Sequence, residues 1–396
     1  MRKLLRAALT CAAWSALLAI AAAADRLEFT VTEAAGIRRF SFPVTATLNF
    51  PKAVEKDAQF ELRRAGDRVT AQFTRVDKST VEVDFNTSLG PFESARFALS
   101  YGEKIAPPPP PRRGHRVSQM DDLFVIANEP YIVWRVPRSL ERLLRSVEFR
   151  PVEHVRPSPT ESLGLWLEST NGERIAVKLD VRKSSAEIIK PGPLAAQLRF
   201  TWAISDPQLP GVKCQLEMSF PVSKSWVEIA WKIEDPRGVV RRAGSLLETN
   251  LDSPTNAQPT LVDWGAGGSA YLALRPGMAT RLANSPTKKW TVLRGKPGSL
   301  SPFVEQANNQ MAEGWLHVMD RKRCLALAVD QFGIAGGDAL DVTASGRVDV
   351  RRTFVPATSR TKNLRFWMHF VFFPPQISAA TSPQAMQNPL LVEPVR

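Results

Sequence analysis

The run Leu364-Arg365-Phe366-Trp367-Met368-His369-Phe370-Val371-Phe372-Phe373 decides the fold. Successive side chains of a β-strand point to opposite faces, so residues two apart share a face. Leu364, Phe366, Met368, Phe370 and Phe372 then make an unbroken apolar row, and Arg365, Trp367 and His369 make the row behind it. A period of two separates these sets cleanly, whereas a helical period would scatter them. The run predicts a strand with one face in a core and a second face that is aromatic and polar.

Two further segments read the same way. In Ala312-Glu313-Gly314-Trp315-Leu316-His317-Val318-Met319-Asp320, Trp315, His317 and Met319 share one face, and Glu313 joins them if the strand reaches that far. Asp320 opens the charged turn Asp320-Arg321-Lys322-Arg323, from which Cys324 to Val329 returns as a buried strand. From Trp226 to Ile233, the core row is Val227, Ile229, Trp231 and Ile233, while Trp226, Glu228 and Lys232 point the other way.

Outward from these segments the chain is nearly all strand. Runs rich in Val, Ile, Phe, Thr and Trp recur between Gly, Pro, Asn and Asp. Asn171-Gly172 supplies a hairpin turn. The fold class expected is all-β: a small β domain followed by a large antiparallel two-sheet sandwich, since about a dozen strands over roughly 260 residues fit two packed sheets. One short helix is expected near Ser139–Leu144, where Leu140, Leu143 and Leu144 space helically. Asp263-Trp264-Gly265-Ala266-Gly267-Gly268 is followed by a strand pattern and not by a helix. It therefore reads as a tight turn or bulge and not as a dinucleotide loop.

Pro107 to Pro111 is an unbroken proline run, a stiff solvated spacer that cannot be a central strand. It divides the chain into a small β domain (25–104), a linker (105–116), a large sandwich (117–380) and a C-terminal tail (381–396). The tail is expected to pack on the surface or fray. Ahead of them, Arg2, Lys3 and Arg6 precede an uncharged run from Ala7 to Ala24. That is the layout of a signal peptide over 1–24, which predicts export to the periplasm or beyond and no stable membrane span after cleavage.

Losing the leader lowers the formal charge from +13 to +10. A basic exported protein suits an anionic partner such as a polyuronate; dispersed lysine and arginine that only keep it soluble are the plainer alternative. No Lys/Arg block is interleaved with aromatics, which argues against nucleic acid. Cys214 and Cys324 could pair in an oxidising compartment or stay as buried thiols. No clustered Cys/His spacing and no calcium-loop pattern is present, so no metal and no cofactor is implied. His115 in the linker and His154 beside Val155-Arg156-Pro157 read as exposed loop residues.

The order of pieces resembles a known family. Phe42-Pro43-Val44, Asp67-Arg68-Val69-Thr70-Ala71-Gln72-Phe73, Val83-Asp84-Phe85 and Ala98-Leu99-Ser100-Tyr101-Gly102 follow one another. This succession is similar to the small RIFT-type barrel that precedes large sandwiches in several carbohydrate-active proteins. Ile188-Ile189-Lys190-Pro191-Gly192-Pro193-Leu194 looks like the glycine-proline-leucine lead-in of galactose-mutarotase-like sandwiches. Together they resemble the first two domains of the exo-acting rhamnogalacturonan lyase (YetA-like) family. That family also carries a helical α/α-toroid domain, for which this sequence shows no segment. No catalytic residue is carried over from it.

The Trp-x-His faces suit sugar chemistry. A flat tryptophan stacks on a pyranose, and charged neighbours hold hydroxyls. Trp315, Trp367, Trp226, Arg365 and Glu228 are the candidate substrate contacts, with Arg365 able to hold a uronate carboxylate bidentately. His317 and His369 are the candidate acid–base groups, with Glu313 as a partner. The expected ligand is a glycan or polysaccharide, acidic or ordinary. The face could serve a lyase-like or mutarotase-like enzyme, a non-catalytic glycan-binding module, or an envelope or assembly protein. A fourth use is structural: the second side of a sheet buried under a loop or the small domain.

Overall fold

The computed structural model describes residues 25–395 except 104, 107–110, 112, 159–163, 181–182, 267–268, 286–288, 306–310, 335, 355–359 and 373–381. The expected leader 1–24, most of the proline run and the start of the tail lie outside the described residues. Among the described residues the protein is nearly all-β, with antiparallel sheets and one short helix, Ser382–Gln387.

The larger part is built on two packed sheets. One has nine strands, in the order Ser185–Pro191, Ala195–Ala203, Lys213–Pro221, Trp226–Glu234, Thr361–Phe372, Arg323–Val329, Trp315–Met319, Thr260–Gly265 and Ser269–Leu274. The other has eight, running from Arg174–Ala176 through Val240–Glu248 and Arg347–Thr353 to Ser299–Glu305. A five-stranded sheet between Arg116 and Glu153 joins the same core. Its Trp134 ring meets Phe220 at 5.3 Å and Phe370 at 5.7 Å. The expected parity holds: Leu364, Phe366, Met368 and Phe370 are buried in this core.

The small part has a five-stranded and a three-stranded sheet. Phe29, Phe85 and Phe97 form their shared core, with Phe29 stacked on Phe97 at 5.5 Å. Asp67–Val69 belongs to one sheet and Ala71–Arg75 to the other, so the chain crosses between them at Thr70. The tail neither frays nor merely rests on the surface. Leu391–Pro394 pairs antiparallel with Asp25–Thr32 and becomes an edge strand of the small part. Just before it, the helix is held by Arg39, which donates to the carbonyls of Ala385 (2.9 Å) and Asn388 (2.7 Å).

Two other expectations, the short helix and the exposed histidines, are corrected, and the cysteine alternative is settled. Ser139–Leu144 is turn and bend and not helix. Leu140 lies at φ 50°, outside the helical region, and Leu140, Leu143 and Leu144 reach the core from a loop. His115 and His154 are buried, at 4% and 3% exposure. His154 sits among the rings of Phe149, Phe370 and Phe372, and His115 lies beside the lead-in at Gly192. Cys214 and Cys324 are free, buried thiols. Among the described residues no helix is long and apolar enough to cross a membrane.

The segments that carried the family resemblance meet at the seam between the two parts. Gln72 Oε1 accepts the backbone N–H groups of Leu194 (2.8 Å) and Ala195 (3.0 Å), and its Nε2 donates to the Ala195 carbonyl at 3.0 Å. One side chain thereby satisfies three backbone groups that packing has removed from water. Gln72→Ala is expected to lower the unfolding free energy by about 1–3 kcal/mol, because those groups lose their partner. Urea unfolding of the two proteins measures this, and a change within error would show that water replaces the amide at no cost.

Candidate functional site

The two Trp-x-His strands are not adjacent. Arg323–Val329 lies between them, in a register that pairs Trp315 with Ala328 and Ala328 with Trp367, and likewise His317 with Ala326 and Ala326 with His369. Trp226 stands opposite His369, and Glu228 opposite Trp367. The sheet therefore aligns two rows on one face. One reads Trp315, Ala328, Trp367, Glu228; the other reads His317, Ala326, His369, Trp226. Two strand spacings put the histidine Cα atoms about 10 Å apart. The intervening alanines are short, so the aromatic rings on either side rise above them.

The sequence thus groups these residues on the right face, but the face is not open. Trp226, Trp315, Trp367 and Ala328 belong to the same buried cluster as Phe29, Phe42 and Phe97 of the small part and Met386 of the terminal helix. Trp226 meets Phe42 edge-on at 5.6 Å. His317 is 2% exposed and Trp367 3%. Of the uses left open for this face, the structure shows burial: Trp315, His317, Trp367 and His369 are on the second side of a sheet that the small part covers. The small domain and the helix cover the sheet, because three indoles on one face form an apolar patch too large to leave in water.

The polar candidates are engaged locally. The Trp315 indole donates to Glu313 Oε2 at 2.6 Å, and Gln384 donates to the same oxygen at 2.9 Å. Glu313 itself lies outside the strand, which begins at Trp315 after the left-handed Gly314 (φ 76°). Its carboxylate is turned to the surface, and Asp263 is the carboxylate beside His317, with Oδ2 3.8 Å from Nδ1. Glu228 accepts from Arg365 Nε (2.8 Å) and from the Trp367 indole (3.0 Å). Gly265 explains part of the glycine-rich stretch: a Cβ there would lie 2.4 Å from the Trp315 indole. Burial, then the charges of Lys224 and His317, push the His369 imidazole down to about 3. It is neutral at physiological pH and a weak base.

Two spaces open at the seam. A cavity of about 220 Å³ is lined by Trp226, Glu228, Arg365 and Trp367 together with Asp84 and Lys190. It brings four of the five predicted substrate contacts together, yet it is smaller than the 300–1,000 Å³ common for ligand pockets. A cleft of about 1400 Å³ runs between the small part, the five-stranded sheet and the terminal helix. Trp226, His369, Phe40, Tyr131 and Phe149 are among the residues that line it. Sequence reading missed Tyr131, Phe149 and Arg150. They sit on short strands and turns whose local pattern carries no sign that a second domain faces them. Among the described residues no group of three His, Cys, Asp or Glu is placed to hold a metal ion.

No family model and no curated protein matches the chain. Solved structures do. An α-mannosidase from Enterococcus faecalis V583 superposes with a TM-score of 0.55 at 12% identity, over 94% of this chain and 46% of that one. A glycosyl hydrolase family 38 protein from Enterococcus faecalis gives 0.53 at 11%, over 94% and 47%. A galactose-mutarotase-related enzyme from Lactobacillus acidophilus gives 0.34 at 6%, over 65% and 97%. No rhamnogalacturonan lyase is among these three. The chain spans about half the length of the two Enterococcus proteins. At these identities the likeness concerns the fold: nearly the whole of this chain takes the arrangement found in part of two larger carbohydrate-acting proteins.

Proposed function

We propose that this is an exported glycan-binding protein whose site is the cleft between the small β domain and the sandwich. The observation that carries the reading is the cleft itself. At about 1400 Å³ it exceeds what one small ligand needs, and the exposed Phe40 and half-buried Tyr131 on its walls offer rings for sugar stacking. The carbohydrate-acting proteins that share the fold support the same direction, and the leader supports export. Binding is favoured over turnover. No carboxylate lines the cleft among the described residues, so the paired carboxyl groups of a glycoside hydrolase have no counterpart there. A lyase-type reaction would need a competent base, and the one histidine on the wall is held neutral with a pKa of about 3.

Calorimetric titration of the chain with oligosaccharide libraries tests this. Tyr131→Ala is expected to weaken the best ligand roughly threefold to tenfold, the range expected for one aromatic contact. No new reducing end and no unsaturated product should form during incubation. Product formation abolished by His369→Ala would replace the binding reading with an enzymatic one.

A further inference from the structure

The cleft is one-sided in charge. Arg38, Arg39, Arg113, Arg150 and Lys224 line it, and among the described residues no aspartate or glutamate does. Arg39 is neutralised from behind by Glu33, at 3.0 Å. Lys224 is half-buried and donates to the Phe40 carbonyl at 2.8 Å. Arg38, Arg113 and Arg150 form no ion pair among the described residues. Elsewhere arginines on the sandwich commonly meet carboxylates, as in Arg174–Asp349, Arg242–Glu168 and Arg281–Asp341. Arginines without an ion pair among the described residues occur elsewhere too, Arg75 and Arg294 among them; what is particular to the cleft is that several basic side chains line it and, among the described residues, no carboxylate does.

The contacts of the three arginines are with aromatic rings. The Arg113 guanidinium lies 4.6 Å from the Tyr131 ring centre, and that of Arg150 lies 5.8 Å from Tyr131 and 5.6 Å from Phe149. Arg38 lies 5.8 Å from Phe40. Rings placed this way hold the cations without neutralising them. Arg150 also occupies a left-handed backbone conformation, φ 52°, with its N–H bonded to the Tyr131 carbonyl at 2.9 Å. A non-glycine residue there costs roughly 1–2 kcal/mol, and such strain persists where the surroundings over-determine it.

The geometry points to a site for a carboxylate-bearing glycan, with Arg113 and Arg150 holding carboxylates on either side of Tyr131. This rests on the reading of the cleft as a glycan site. A guanidinium matches a carboxylate with two parallel N–H donors. The volume of the cleft suits several sugar units, and the exposed Phe40 offers a ring face to one of them.

The test titrates the full chain with short oligogalacturonates, with the same oligomers as methyl esters, and with a DNA duplex. The acid form should bind at least about tenfold tighter than the ester and weaken as salt is raised. Arg113→Ala and Arg150→Ala should each weaken the acid about tenfold and the ester little. Arg150→Gly relieves the backbone, so it should lose the same binding with an unchanged or higher melting temperature. Equal binding of acid and ester, both weakened by Tyr131→Ala, would overturn the anionic assignment and leave the glycan reading standing. No binding of either sugar would end both. DNA bound more tightly than the acid, with the same arginine dependence, would assign the cleft to a different class of polymer.

Discussion

Lys190→Ala is expected to destabilise the protein by about 3–5 kcal/mol, the cost of leaving a buried charge without its partner. The Lys190 ammonium lies 2.9 Å and 2.8 Å from the two oxygens of Asp84 and 2.9 Å from Glu82. Thr45 donates to the same Asp84 carboxylate at 2.6 Å. The Lys190 and Asp84 side chains are only 5% and 4% exposed. They come from opposite sides of the seam, so the pair fixes how the small domain sits on the sheet. The double replacement Lys190→Met with Asp84→Leu should recover most of the loss, because removing both charges also removes their desolvation. Urea unfolding of the two single variants and the double variant closes the cycle. A single-variant loss under about 1 kcal/mol would mean that water reaches the pair.

Strand parity made the sandwich legible. Apolar rows two residues apart, from Val227 to Ile233 and from Leu364 to Phe370, are the rows found in the core. The same parity put Trp226, Glu228, Trp315, His317, Arg365, Trp367 and His369 on the other face, and the register aligns them there. What parity cannot report is the cover. A strand states which side chains share a face, and only tertiary packing decides whether that face meets water or another domain. The size of the face was nevertheless a usable sign. Three tryptophans of roughly 150–250 Å² each reach or pass the largest apolar patch, roughly 300–600 Å², of a typical monomer.

The misses share a cause. His115 and His154 carry polar or proline-rich neighbours in sequence, so local composition marks them as exposed. Their burial comes from contacts distant in sequence: His115 N–H donates to the Pro193 carbonyl at 2.8 Å, and Asn250 N–H donates to the His154 carbonyl at 2.8 Å. The terminal strand was illegible for the same reason. Leu391 to Pro394 is proline-flanked and short, and its partner lies at the other end of the described chain. The cleft is assembled from strands, turns and a helix that lie far apart in the chain, so no single stretch of sequence displays it.

Those buried histidines set the second large expectation: the protein should lose stability steadily as pH falls from about 6.5 toward 4. Burial pushes the imidazoles of His115 and His154 down to about 4 and that of His369 to about 3. In that interval the unfolded chain takes up protons on all three, near pH 6.5, and the folded chain refuses them. Each group then removes about 1.4 kcal/mol per pH unit. Three groups over two units approach the whole stability of an ordinary domain, roughly 5–15 kcal/mol. Asp338 and Asp349, whose carboxyls burial raises, offset part of this at the acid end by taking up protons while folded. Glu33, Asp235 and Asp320, whose carboxyls hydrogen bonds hold below their ordinary range against burial, add to the loss at that end, so the histidines dominate the slope between about pH 6 and 5. Urea midpoints across that range measure the slope. His154→Phe, placed among Phe149, Phe370 and Phe372, should remove about a third of it while the neutral-pH midpoint changes little. A midpoint unchanged from pH 7 to 5 would mean that the three rings reach protons without unfolding, and would return His369 to consideration as an acid–base group.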